Sequence, residues 1–82
     1  MKLPRDLGGR ELARALGKAF GYQVTRETGS HLRLTTQARG QHHLTIPAHD
    51  SLRVGTLAAV LGEVCTHFQL ERVEVVRRLF GG

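Results

Sequence analysis

Cysteine is almost missing from this chain. Cys65 stands alone among 82 residues, so no internal disulfide can form, and its apolar neighbours at helical spacing predict a buried, reduced thiol in a cytosolic protein rather than a nucleophile. There is no Cys-x-x-Cys pair, and none of the five histidines stand at His-x-x-x-His spacing. His42 and His43 are adjacent and must point to opposite faces if they lie in a strand, so no metal site is expected, and no cofactor. Nucleotide-binding glycine loops, internal repeats and low-complexity stretches are also lacking. No apolar run follows Met1-Lys2-Leu3-Pro4-Arg5-Asp6 that is long enough for a signal peptide or a membrane span, which leads us to expect no membrane association and a cytoplasmic location.

Acidic side chains are few: seven Asp and Glu against twelve Lys and Arg give a formal net charge of +5. Arginine predominates, and its planar fork of donors suits phosphate oxygens. Charge alone fits either nucleic-acid contact or a solvated basic surface. The length suits one domain, residues 1–82, with a compact core.

Leu12, Ala15, Leu16, Ala19 and Phe20 recur on one helical face, predicting a first helix over Gly9–Phe20 that Gly21 ends in a left-handed conformation. Tyr22–Thr28, Ser30–Thr36 and Gln41–Pro47 alternate apolar and polar residues, as strands covered on one face do. Gly29 marks the first turn and Gln37-Ala38-Arg39-Gly40 the second, giving a three-stranded antiparallel meander. Leu57, Leu61, Val64 and Phe68 predict a second helix over about Val54–His67, in which Gly62 costs about 1 kcal/mol relative to alanine. Leu70, Val73, Val76 and Phe80 suggest a short third helix over Leu70–Phe80. The fold class is α+β: helices gathered on one side of an antiparallel sheet whose other side is wet.

The alternation assigns faces. Leu32 and Leu34 turn toward the helices, sending His31, Arg33 and Thr35 to the open side; Leu44 and Ile46 do the same for His43 and Thr45. Arg33 is then opposite or diagonal to His43 and Thr45, with His31 along the same face. His42 has inward parity and reads as a semi-buried histidine satisfying a local hydrogen bond. His49 falls in a loop, and His67 near the end of the second helix complements its dipole. Histidine's ordinary pKa of about 6.5 lets it take or give a proton near neutrality. His31, where the turn Gly29-Ser30 feeds a strand, is the candidate for that chemistry.

Lys2-Leu3-Pro4-Arg5, Gly9-Arg10-Glu11-Leu12, Gly21-Tyr22, Arg26, Gly29-Ser30-His31, His42-His43-Leu44-Thr45-Ile46-Pro47 and Val54-Gly55-Thr56-Leu57 together resemble the HicA toxin family over nearly the whole chain. The most specific element is the ordered set of Gly-Ser-His on the second strand, the His-Thr-Ile-Pro-type residues on the third and Gly-Thr-Leu opening the next helix. The resemblance implies a double-stranded-RNA-binding-domain-like fold, metal-independent cleavage of mRNA and neutralisation by a HicB-type antitoxin. It implies His31 as the catalytic histidine, Gly29 and Ser30 as the motif residues beside it, and basic residues serving RNA. Two departures stand out. Gly8 replaces a serine that would cap the first helix, although glycine is a tolerated N-cap. Residues 68–80 extend past the usual C-terminus, where they would cover part of the antitoxin surface or create a surface for weak self-association.

RNA carries its own nucleophile, the 2′-hydroxyl, so cleavage needs a base, donors for the phosphorane charge and an acid for the leaving oxygen. His31 is the base or acid and Arg33 holds phosphate. His43 is a second catalyst or a base-stacking residue, and Thr45 shares its face. Arg53, Gly55 and Thr56, at a helix N-terminus, would attract phosphate through unpaired N–H groups, or would simply start the helix. Two other readings stay open: a noncatalytic RNA-binding module of the same fold, and a protein-interaction domain whose basic surface docks an acidic antitoxin.

Overall fold

The computed structural model describes residues 4–81; Lys2 and Leu3 of the motif set lie outside them. The elements follow the order α1 (Gly9–Phe20), β1 (Gln23–Thr28), β2 (His31–Thr36), β3 (His42–Pro47), α2 (Val54–Phe68) and α3 (Arg72–Phe80). The strands form one antiparallel sheet in the order β1-β2-β3. Leu12, Leu16 and Phe20 of α1 and Leu57, Leu61 and Val64 of α2 meet Leu32, Leu34, Leu44 and Ile46 of the sheet, all buried. Each such side chain contributes about 1.5–3 kcal/mol when removed from water. This is the arrangement expected from the alternation, with the other sheet face open.

Helix α1 starts without a capping side chain. Glu11 reaches back to accept the Gly8 N–H at 2.9 Å, half of a capping box that glycine cannot return. Gly21 ends the helix at φ 74°, in the left-handed region. Its neighbour Tyr22 does not begin β1 as expected. It is buried in the connection, and its hydroxyl lies 2.8 Å from His42 Nδ1. Inside the core, Thr36 donates to the Phe20 carbonyl at 2.9 Å and accepts the Ala38 N–H at 3.1 Å, which satisfies its buried hydroxyl.

Three other expectations are corrected. Every residue of β1 is exposed, and Val24, with inward parity, is 50% exposed: β1 is the edge strand beyond most of the helical layer, touched by α1 alone among the helices. The buried residues of α3 are Val75 and Val76, while Val73 is exposed; the helix starts at Arg72 and packs on α1 and α2 rather than on the sheet. Cys65 is half-buried rather than buried.

Candidate active site

His31 opens β2 directly after Gly29 and Ser30. Gly29 has φ 55° in open space, a conformation glycine takes without strain, and the two-residue loop pairs Thr28 with His31. The Ser30 carbonyl accepts the Ala48 N–H at 2.6 Å, and the His49 carbonyl accepts the Gly9 N–H at 2.9 Å. The start of α1, the His31 turn and the connection after β3 are therefore tied together at one end of the molecule.

The strand register arranges the open face. His31 stands between Thr28 and Pro47, Arg33 between Arg26 and Thr45, and Thr35 between Gln23 and His43. His31, Arg33, His43 and Thr45 are exposed, and all four share the face opposite the helices. His31 and Arg33 are two residues apart, about 7 Å along the strand. His43 belongs to the next rung: its Nδ1 is 2.8 Å from Thr35 Oγ1, which is 2.9 Å from Thr25 Oγ1. That rung is about 13 Å along β2 from His31, so the two imidazoles do not meet at one phosphate. Thr25, Arg26 and Thr28 of β1 complete the face; strict alternation from Val24 would turn Arg26 and Thr28 inward, and the irregularity between Val24 and Arg26 brings both to the open side.

Arg53, Gly55 and Thr56 lie elsewhere. Arg53 is the N-cap of α2 and makes no side-chain capping bond, and Gly55 and Thr56 follow in its first turn. Among the described residues no hydrogen bond or ion pair joins them to the open face.

Two of the remaining histidines, His42 and His67, are occupied, while His49 contributes its backbone carbonyl to the tie with Gly9. His42 is stacked on His67, with ring centroids 4.4 Å apart and planes at 10°. His67 Nε2 donates to the Ala38 carbonyl at 2.9 Å. Burial, then the neighbouring His67, holds His42 below the ordinary histidine value, with Glu63 opposing and His43 adding slightly. Burial also pushes the Tyr22 hydroxyl up to about 12, so it stays neutral beside His42. A histidine depressed in the folded state binds its proton more readily when unfolded, so its stabilisation is complete above about pH 6.5 and is lost as pH falls through the lowered value. Thermal melts from about pH 8 to about pH 5 are expected to show a falling Tm that is flatter in His42→Gln, which keeps an acceptor for Tyr22. Glu74 of α3 is held at about 2 by Arg77 and Arg78, at 2.6 and 2.7 Å, so that pair persists until well below this range.

Among the described residues no three of His, Cys, Asp and Glu gather closely enough to hold a metal ion, and no helix is long and apolar enough to cross a membrane. An α1-β1-β2-β3-α2 order with both helices on one sheet face is a double-stranded-RNA-binding-domain-like arrangement, here extended by α3. A family model described as the HicA toxin of bacterial toxin-antitoxin matches residues 9–64, from the start of α1 into α2. The chain belongs to the HicA toxin family, whose members are generally mRNA-cleaving toxins. No curated protein and no solved structure matches it.

Proposed function

We propose that this protein is a cytoplasmic, metal-independent endoribonuclease that cleaves mRNA with His31 as general base and acid, and that a HicB-type antitoxin silences it by covering the open sheet face. The observation that carries the reading is an exposed imidazole at the head of β2 with a guanidinium next along the same face. Neutral His31 takes the proton of the 2′-hydroxyl as that oxygen bonds to phosphorus. The bond from phosphorus to the 5′ oxygen breaks, and the leaving oxygen takes a proton from water. The resulting hydroxide is neutralised by the proton on His31, leaving a 2′,3′-cyclic phosphate and a 5′-hydroxyl. Arg33 neutralises the phosphoryl oxygens while charge builds.

Gly29 and Ser30 set the turn that presents His31. His43 and Thr45 suit the adjoining nucleotide rather than the scissile link, His43 offering a flat ring held by Thr35. Arg53, Gly55 and Thr56 would meet backbone phosphate further along the strand. α3 lies beyond the residues matched to the family and packs on the helical side, away from the open face, where it would serve weak self-association rather than antitoxin docking.

Purified protein incubated with a long RNA in excess EDTA tests this reading. Cleavage undiminished by the chelator is expected. Salt-sensitive binding without any cleavage would instead select a noncatalytic RNA-binding module, and failure to bind RNA at any salt a protein-interaction domain.

A further inference from the structure

A single extra residue in β1 decides which charges surround His31. Val24 pairs with Leu34 but Arg26 pairs with Arg33, so Thr25 is inserted as a β-bulge. A one-residue slip sends every following side chain to the opposite face. Uninterrupted pairing from Val24 would bring Arg26 to Leu32 on the helical side and Glu27 to His31 on the open side. The bulge reverses both. Glu27 instead pairs with Leu32 and turns to α1, where Arg10 binds its carboxylate at 2.7 Å. Thr25 remains on the open face, bonded to Thr35, so two successive side chains of β1, Thr25 and Arg26, are presented there.

The result is two arginines directly across from each other, beside an imidazole, with the nearest carboxylate removed. Like charges in directly opposed positions destabilise a sheet. Both arginines are exposed, and among the described residues neither guanidinium joins an ion pair, whereas Arg10, Arg77 and Arg78 each have a carboxylate. An arrangement that costs stability and lacks an internal anion is complementary to an external one.

We propose that Arg26 and Arg33 form a two-guanidinium cradle for the scissile phosphodiester, with Arg26 a second phosphate-contacting catalytic residue beside His31. The inference rests on the ribonuclease reading above. Opposed side chains in a sheet start about 5 Å apart at Cβ, a span that one phosphate bridges, and each guanidinium offers paired donors to its oxygens. Attack by the 2′ oxygen raises the phosphoryl charge from one negative unit toward two. Both guanidiniums touch the phosphate in the ground state, where one already neutralises its single charge; the second gains most as the phosphorane's second charge forms, so its contribution falls on kcat more than on KM.

Arg26→Ala and Arg26→Lys are to be compared with the wild type in three measurements: RNA cleavage, thermal melting, and binding of an RNA 2′-O-methylated throughout, which cannot be cut by this chemistry. Arg26→Ala is expected to lower kcat by about 10²- to 10³-fold with a much smaller change in KM. Arg26→Lys should recover only part of this, lacking the fork. Tm should stay level or rise, because a like-charge contact is relieved. The slope of binding against salt should fall by about one unit. Wild-type kinetics in Arg26→Ala, or activity lost in step with Tm, would overturn the cradle. If the wild type itself cuts no RNA, the ribonuclease reading fails, and binding of the methylated RNA then decides the cradle alone: an unchanged salt slope in Arg26→Ala overturns it.

Discussion

Replacing His31 by alanine is expected to slow RNA cleavage by about 10²- to 10⁴-fold, the share a positioned acid-base group commonly supplies, and to abolish toxicity on expression. The fold should survive. His31 is exposed, and among the described residues its ring makes no hydrogen bond or ion pair, so the change in stability should stay within about 0.5 kcal/mol. Melting curves that superimpose while activity vanishes would separate loss of chemistry from loss of structure. RNA binding by the variant should persist, because the arginines of the face remain.

A second large effect is expected at Gly9, where the consequence is structural. A Cβ there would strike the carbonyl oxygen of Pro47, and one at neighbouring Gly8 would approach the carbonyls of Asp50 and His49 to 3.0 and 3.4 Å. These are backbone atoms and cannot swing aside. Gly9→Ala must push the start of α1 away from the connection after β3, straining the bond from Gly9 N–H to the His49 carbonyl. A destabilisation of about 1–3 kcal/mol follows, or roughly 10 °C in Tm for a domain of this size. Gly55→Ala provides the contrast: nothing lies near its added methyl, and alanine favours the helix by up to about 1 kcal/mol. Because the same connection is tied to Ser30 through Ala48, Gly9→Ala should also loosen the His31 turn and lower cleavage below the melting range.

Much of this architecture was legible in the spacing of apolar residues. Leu12, Leu16 and Phe20, and later Leu57, Leu61, Val64 and Phe68, define helical stripes, and all are buried. The parity of Leu32, Leu34, Leu44 and Ile46 is enough to place His31, Arg33, His43 and Thr45 on the opposite face. Apolar spacing says less where tertiary packing overrides a local pattern. Tyr22 has the inward parity of a strand but lies in the connection before β1, where Phe68 and the His42 ring nitrogen offer its ring and hydroxyl partners. Val24 has inward parity but little above it, since the edge strand extends past the helices. On α3 the buried pair Val75 and Val76 departs from the four-residue stripe because the helix wedges between α1 and α2 instead of lying on one surface.

The open face shows the same limit. Its β2 and β3 members follow from simple alternation, but Arg26 and Thr28 of β1, beyond the irregularity, do not. The Thr25 bulge contains no glycine and sits within an ordinary Val-Thr-Arg run, so strict alternation would place Arg26 inside and Glu27 outside. What reveals the bulge is its consequence: Glu27 reaches Arg10 on α1, and Thr25 reaches Thr35 on the opposite side of the sheet. Separation along the strand likewise distinguishes His31 from His43, which parity alone puts on one surface without saying how far apart.

The central claim is that His31 takes a proton from the RNA's own 2′-hydroxyl, and the end groups of the cleaved RNA test it most directly. Fragments produced in EDTA should carry 2′,3′-cyclic phosphate and 5′-hydroxyl ends, and a single 2′-deoxy substitution at a mapped cut should abolish cleavage there. Fragments bearing 3′-hydroxyl and 5′-phosphate ends, or continued cutting at the deoxy position, would contradict the account.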